Sequence, residues 1–166
     1  MQLALFALGL AVWPLVEYAV HGWLSHRFRT PVSGFHLAHH RDARRVFTSP
    51  TAWVPLTIVI WLLLGPAFAL GLLCGFARYE YVHWRIHFRA PRNARQRRLH
   101  AHHLAHHICD SKAYYGVSTR LWDRLLGTLP ATWQADYARV ADLPPLAGAS
   151  NFGTFWPRAL RSGRTR

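Results

Sequence analysis

Cysteine is scarce in this sequence, and its scarcity excludes a fold held together by disulfide bonds. Cys74 lies inside an apolar run and Cys109 follows a histidine-rich stretch, and there is no other cysteine. Neither residue belongs to a CxxC motif.

Acidic residues are also few. The chain has 7 acidic and 20 basic side chains, which give a formal charge of +13. In a polar chain this balance would favour nucleic-acid binding. Here 51% of the residues are hydrophobic, and they occur in long runs. We therefore expect no nucleic-acid partner, and instead a membrane protein with an arginine-rich cytoplasmic face.

Two apolar stretches have the character of membrane helices. Leu3–Val20 would be about 27 Å long as a helix, close to the ~30 Å of a hydrocarbon core. It has neither a basic leader nor a small-residue cleavage site, so we expect a retained helix rather than a signal peptide. Thr51–Tyr81 is split by Gly65-Pro66, a turn signal that predicts a helical hairpin. Its arms are short, roughly 21–23 Å each, so they cross a thinned bilayer, cross with little tilt, or only re-enter it.

These elements predict an all-α integral membrane protein with about three transmembrane or re-entrant helices. We expect a membrane-embedded domain at residues 1–128 and a tail at 129–166 that is rich in Pro, Gly and Arg. The tail is expected to be loop and peripheral structure, with partial disorder at Arg158–Arg166. Arginines flank both histidine-bearing segments, whereas the Gly-Pro turn and the N-terminus carry no basic side chain. The positive-inside rule then predicts that the histidines and the C-terminus lie on the cytoplasmic side, as a helical cap on the membrane.

Histidine is the residue that this sequence has in excess. All 12 histidines lie in two windows, residues 21–40 and 83–107. They form an HxxxxH pair, an HxxHH triad, an HxxxH pair and a final stretch with a second triad. On a helix, positions i, i+3 and i+4 share a face, so we expect each triad to aim three imidazoles at one point. The HxxxxH pair would need a helix end or a bend near Gly22 to converge.

This pattern predicts a multinuclear metal site. A lone histidine on an apolar face is usually an ordinary core residue, but two triads and two pairs on one side of a membrane are not explained in that way. Neutral imidazoles without thiolates suit either iron or zinc.

The four motifs, in this order and with the apolar hairpin between the second and the third, resemble those of the fatty acid hydroxylase/sterol desaturase superfamily. Its members are integral-membrane di-iron oxygenases, with carotenoid ring hydroxylases as near relatives. The stretch "YYGVSTRLWDRLLGT", Tyr114–Thr128, is similar to the one that follows the last triad in lipid hydroxylases of this group. The resemblance extends from Glu17 to Thr128.

The resemblance implies a monooxygenase that uses O2 to hydroxylate an unactivated C–H bond of a membrane lipid, whether fatty acyl, sterol-like or carotenoid. It implies two iron ions as cofactors, which zinc can replace in the isolated protein. No heme-binding domain and no flavin or nicotinamide motif is present, so electrons are expected from a separate ferredoxin, cytochrome b5-like protein or reductase.

The resemblance also implies a set of site residues. His102 is the alternative to His103, because the family pattern allows two or three residues before the final HH. Glu17 and Tyr79 match family positions from which they would orient imidazoles by hydrogen bonding. Arg85, Arg89 and their neighbours either anchor the chain at the interface or hold an anionic head group. The implied metal ligands are His21, His26, His36, His39, His40, His83, His87, His103, His106 and His107.

The alternative function is a non-redox membrane protein that binds or transports metal ions. A transport path requires ionisable groups within the apolar segments. Trp53–Phe76, the core of the hairpin, has no acidic residue, and only Glu17 and Glu80 lie near segment ends. This distribution disfavours transport.

Overall fold

The computed structural model describes residues 1–146, and all regular secondary structure in this part of the chain is helical. Helix α1 (Gln2–Tyr18) continues through a π-helical segment, Ala19–Leu24, into the short helix α2 (Ser25–Arg27). The all-α prediction is confirmed for these residues. The remaining helices are α3 (Pro31–Arg41), α4 (Pro50–Leu64), α5 (Pro66–Phe88), α6 (Ala94–Ile108), α7 (Leu121–Leu125) and α8 (Trp133–Val140).

The Gly-Pro turn forms the predicted hairpin. Helix α4 ends before Gly65, whose φ of +83° is one that residues with a Cβ rarely adopt. Pro66 then begins α5 at a position where its missing N–H loses no helical hydrogen bond. Helix α5 continues beyond the predicted arm to Phe88, so that the HxxxH pair lies on the same continuous helix as the apolar arm.

Two glycines bring α1 and α5 into close contact. A Cβ on Gly9 would collide with the backbone of α5 at Phe68, and a Cβ on Gly71 would collide with the backbone of α1 at Phe6. Small residues at a crossing point are typical of membrane helices whose backbones approach closely. This contact joins the helix that precedes the first histidine window to the helix that begins the second.

The apolar helices α1 and α4 expose much of their surface. No residue of α4 is buried, and Leu3, Leu62 and Leu63 are 81%, 78% and 75% exposed. A surface of this kind is suited to lipid or to a partner rather than to water. Among the described residues one helix, Gln2–Arg27, is long and apolar enough to cross a bilayer, and α4 is apolar but shorter. The number of about three membrane helices therefore stays a prediction.

A helix from the segment expected to be a tail packs against the histidine-rich end. Tyr137 and Val140 of α8 are buried against α6. The described part of that segment, residues 129–146, thus contributes to the core, where loop and peripheral structure was expected. The disorder expected at Arg158–Arg166 lies outside the described residues, and a domain boundary after Thr128 stays a prediction.

The crossing of α1 and α5 can be tested with a matched pair of glycine substitutions. Gly71→Ala should lower the free energy of unfolding by about 1–3 kcal/mol, because the new methyl group meets backbone atoms that cannot rotate away. Gly34→Ala in α3 meets no atom within 4 Å and should leave stability unchanged or raise it by up to about 1 kcal/mol, through helix propensity. Thermal unfolding in detergent measures both. If Gly71→Ala unfolds at the wild-type temperature or above it, the close crossing is wrong.

Candidate metal centre

Ten histidines from both sequence windows meet in two groups of five. Within each group, one ring nitrogen per residue lies within 4.8 Å of all the others. The ten residues are those that the superfamily resemblance implies as ligands. Group 1 consists of His21, His26, His36, His40 and His106, and group 2 consists of His39, His83, His87, His103 and His107.

Each HxxHH triad is divided between the two groups. In α3, His36 and His40 belong to group 1 and His39 belongs to group 2. In α6 the division is reversed, with only His106 in group 1. The expectation that a triad aims three imidazoles at one point is therefore wrong. Positions i+3 and i+4 are about 100° apart around a helix, so two adjacent histidines diverge towards two neighbouring points.

The HxxxxH pair converges through the π-helical segment. His21 lies within Ala19–Leu24, and His26 is the second residue of α2. The hydrogen-bond pattern of a π-helix joins residues five apart, which brings positions i and i+5 towards the same side. The two ring centroids are 6.1 Å apart. Gly22 makes room for the aromatic ring of Tyr115, which a Cβ at position 22 would overlap.

Four nitrogens of group 1 form a closed ring of short contacts. Their Nε2–Nε2 distances are 2.7 Å for His26–His36, 2.8 Å for His36–His40, 3.0 Å for His40–His106 and 3.2 Å for His106–His26. A hydrogen bond needs one protonated and one bare nitrogen, and one N–H serves one contact. At most two of these four contacts can therefore be hydrogen bonds.

Group 2 has the same spacing, and both groups fit metal ions. Four Nε2–Nε2 contacts of 3.0–3.1 Å connect its five members in the order His83, His39, His107, His103, His87. Two nitrogens that each lie about 2.1 Å from one ion, with an N–metal–N angle of 90°, are about 3.0 Å apart. A cation in each group would accept the lone pairs that the nitrogens cannot share through protons.

Backbone carbonyls hold three of the imidazoles in the tautomer that binds metal. The Nδ1–H of His21 donates to the carbonyl of Tyr115, that of His83 donates to Val46 over 3.1 Å, and that of His106 donates to Ala113 over 2.7 Å. In a neutral ring, this leaves Nε2 bare and directed into the group. Such bonds are the usual way in which a protein fixes a ligating histidine.

The environment keeps the α3 and α6 imidazoles neutral. Burial lowers the pKa of four of these rings, and the neighbouring histidines lower it further. The four are His36, His39, His103 and His107. The same two causes lower the pKa of His40 to about 3. Because metals bind the unprotonated ring, these residues do not have to release a proton at pH 7 before they bind an ion.

Asp123, which sequence reasoning did not single out, organises the loop that supplies two of these carbonyls. Its fully buried carboxylate accepts hydrogen bonds from the backbone N–H groups of Tyr115 and Gly116, at 2.7 and 2.8 Å, and from the hydroxyl of Thr128 at 2.8 Å. Burial alone would raise the pKa of Asp123, but the hydrogen bonds from His102, Gly116 and Thr128 hold it below its usual value. The only signal in the sequence was its position within the similar stretch Tyr114–Thr128.

The structure separates His102 from His103. The Nε2 of His102 donates to Asp123 over 2.9 Å, and its Nδ1 accepts from the hydroxyl of Tyr137 over 2.5 Å. Both ring nitrogens of His102 are thereby directed away from the two groups, whereas His103 contacts His87 and belongs to group 2. His100 is buried outside both groups.

Glu17 and Tyr79 lie near the groups, and their contacts differ from the expected hydrogen bonds to imidazoles. Glu17 accepts hydrogen bonds from the backbone N–H groups of Val117 and Ser118, both at 2.7 Å, and from the Ser118 hydroxyl at 2.5 Å. It therefore fixes a loop rather than an imidazole. Tyr79 stacks on the ring of His83, with centroids 5.6 Å apart.

One mainly apolar cavity between α1, α3, α4 and α5 reaches both groups. On the histidine side its wall includes His21 and His36 of group 1 and His39 and His83 of group 2. The rest of the wall is largely aliphatic and aromatic, and extends along α4 to Ile60.

Comparison with known proteins identifies the family. The family model described as fatty acid hydroxylase matches residues 6–128, a range that includes every member of both histidine groups. The chain belongs to the fatty acid hydroxylase family.

Curated relatives of this fatty acid hydroxylase family member come from plants, animals and fungi. The chain is 32% identical to a dihydroceramide fatty acyl 2-hydroxylase of Arabidopsis thaliana, over 75% of this chain and 60% of that protein. It is 33% identical to the fatty acid 2-hydroxylase of Homo sapiens, over 75% of this chain and 39% of that protein. It is also 33% identical to a ceramide very long chain fatty acid hydroxylase of Schizosaccharomyces pombe, over 74% of this chain and 41% of that protein. The chain thus spans less than two thirds of the length of these relatives, and no solved structure matches it.

The neighbouring histidines of α6 offer a direct test of the group assignment in this family member. His103→Ala should lower the bound metal by about one ion per chain, because group 2 loses a nitrogen that lies 3.0 Å from two others. His102→Ala should retain both ions, with affinity reduced by roughly 10- to 100-fold at most through the disturbed loop. Elemental analysis of the purified variants measures the difference. A His102→Ala protein that loses an ion while His103→Ala keeps both would reverse the assignment.

Proposed function

We propose that this chain is a membrane di-iron monooxygenase that hydroxylates the fatty acyl chain of a lipid. The observation that carries the proposal is the cavity, whose apolar wall ends at histidines of both groups. An acyl chain in this cavity would present one C–H bond to the space beside both groups. The relatives, which are named as fatty acyl and ceramide hydroxylases, support the same substrate class.

The length of the cavity wall suits an acyl chain. Its wall follows α5 from His83 to Ala69, which is 14 residues, or about 21 Å of helix. This length exceeds the roughly 15 Å of apolar thickness in one leaflet. Trp13, Phe76 and Leu72 contribute large apolar side chains to the wall, which would limit the access of water to a reacting carbon.

The ten grouped histidines are the proposed iron ligands, with five nitrogens available to each of two ions. When bound, iron would supply the redox chemistry by which O2, two electrons and two protons convert a C–H bond to C–OH and release one water; zinc has no redox chemistry. The carbonyls of Tyr115, Val46 and Ala113 keep the rings oriented. Electrons would arrive from a separate donor such as a ferredoxin, a cytochrome b5-like protein or a reductase.

We further propose that α1, α4 and the apolar half of α5 are membrane-embedded, with the histidine groups as a cap on the cytoplasmic side. The exposed leucines of α1 and α4 support the embedding. The arginines around both histidine windows, and the lack of basic residues at the Gly-Pro turn, support the orientation. Residues 1–128 would form the catalytic domain, to which the segment from residue 129 adds α8.

Two isoleucines of α4 allow a matched test. Ile60 lines the far end of the cavity, whereas Ile58 is 53% exposed on the same helix and does not line it. Ile60→Trp should shorten the cavity and reduce hydroxylation of the longest acyl chains roughly tenfold relative to shorter ones. Ile58→Trp should give the wild-type distribution. The chain is expressed in membranes with iron, oxygen, a ferredoxin and its reductase, and lipid acyl chains that have gained one oxygen atom are measured by mass spectrometry.

Two outcomes would contradict the proposal. A wild-type chain that binds iron but consumes no oxygen and yields no hydroxylated lipid would support the non-redox alternative. If hydroxylation occurs but Ile60→Trp leaves the chain-length distribution unchanged, the acyl chain does not occupy this cavity.

A further inference from the structure

A second cleft lies between the C-terminal half of α5 and the start of α6, away from the metal centre. It encloses about 250 Å³, several times the roughly 30 Å³ of one water molecule. Four arginines line it, and none of its lining residues is acidic. The arginines are Arg78, Arg85, Arg89 and Arg95, and we call this the arginine cleft.

Three of these arginines form one stripe along α5. Arg78, Arg85 and Arg89 are spaced by seven and four residues, which places them on a common helix face. Arg85 is two residues from both His83 and His87, so it lies about 160° away from them around the helix. The cleft and the metal centre therefore use opposite faces of α5.

The opposite wall of the cleft is the first turn of α6. Asn93, Arg95 and Gln96 line it, and the Asn93 side chain caps the helix by accepting from the N–H of Gln96 over 2.9 Å. Arg85 donates to the side-chain oxygen of Gln96 over 3.2 Å, so the two walls are already connected. The N-terminus of a 15-residue helix adds a partial positive charge directed at the cleft.

A residue with a buried polar atom also belongs to the lining of the cleft. His100 lines it and is only 2% exposed, yet its Nδ1 makes no hydrogen bond to any residue of the described range 1–146. A polar ring nitrogen that is buried without a hydrogen-bond partner is destabilising unless a ligand supplies that partner. Val82, Ile86 and Leu99 add an apolar floor.

The level of the cleft along α5 identifies the source of the ligand. Residues 66–77 of α5 carry no charge, and the arginines begin at Arg78 and end at Arg89, about 16 Å further along the helix. Tyr81, which lines the cleft, and Trp84, over which Arg89 packs at 5.0 Å, are aromatic residues typical of a membrane interface. The cleft would thus lie at the depth of the lipid head groups.

We propose that the arginine cleft binds the phosphate group of a membrane phospholipid, with the glycerol and the first methylene groups on its apolar floor. Arginine matches the geometry of phosphate oxygens through paired N–H donors. The apolar floor distinguishes a phospholipid from free phosphate, which would leave it uncovered. A concave site of this size also fits one head group better than it fits the broad acidic face of a partner protein.

The test uses the full chain in neutral maltoside micelles, titrated with dihexanoyl phosphatidylglycerol and separately with inorganic phosphate, by calorimetry. The wild type should bind one phosphatidylglycerol per chain, and inorganic phosphate at least tenfold more weakly. The cleft variant Arg85→Gln/Arg89→Gln should bind the lipid about 30-fold more weakly, since each arginine near a lipid phosphate contributes about fivefold. Neither titration needs bound iron, so the lipid-binding proposal can fail or succeed independently of the hydroxylase proposal.

The matched control is Arg29→Gln/Arg41→Gln, which removes two exposed arginines that do not line the cleft and do not belong to α5 or α6. This variant should bind within about threefold of the wild type, because distant surface charges are screened. Circular dichroism must show unchanged helicity in both variants.

Any of four results would overturn the proposal. The first is that the cleft variant binds the lipid as tightly as the wild type does, and the second is that the control variant loses as much lipid affinity as the cleft variant. The third is that inorganic phosphate binds as tightly as the lipid. The fourth is that an acidic ferredoxin needs Arg85 and Arg89 for binding, whereas the lipid does not.

Discussion

Imidazole nitrogens that face one another at 2.7–3.2 Å are the constraint on which the rest of this structure depends. Burial keeps the α3 and α6 rings neutral, and fixed Nδ1 hydrogen bonds leave His83 and His106 with bare Nε2 atoms. Lone pairs at this spacing repel unless a cation lies between them. The helices, the connecting loops and the cavity all converge on two points where such a cation would be stabilised.

The elements around the two groups act as a rigid frame. The glycine crossing of α1 and α5 sets the distance between the two histidine windows, and the π-helical segment aligns the first pair. Asp123 and Glu17 are buried carboxylates that fix the loop 113–118 through its backbone N–H groups, and that loop in turn orients His21 and His106. A buried carboxyl group with several hydrogen bonds is a strong positional restraint, because losing those bonds would leave a buried polar group without partners.

Sequence reasoning recovered the features that depend on local chemistry. Gly65-Pro66 predicted the hairpin because a positive φ and a missing N–H have few uses elsewhere. The superfamily resemblance of the histidine motifs implied all ten members of the two groups, with His102 left as an alternative to His103. It failed where the outcome depended on tertiary contacts. The triads divide because two groups are available for the diverging positions i+3 and i+4. The packing of α8, the loop-fixing role of Glu17 and the role of Asp123 depend on partners that are distant in sequence, such as Val117 for Glu17.

The central claim is that each group holds one ion through several imidazoles, and X-ray absorption at the iron edge of the reconstituted protein tests it most directly. The account predicts two irons per chain and an average shell of roughly five nitrogen or oxygen neighbours near 2.1 Å, with the outer-shell scattering of imidazole rings. A spectrum with sulfur neighbours, with only one or two imidazoles per iron, or from a chain that retains a single iron would contradict it.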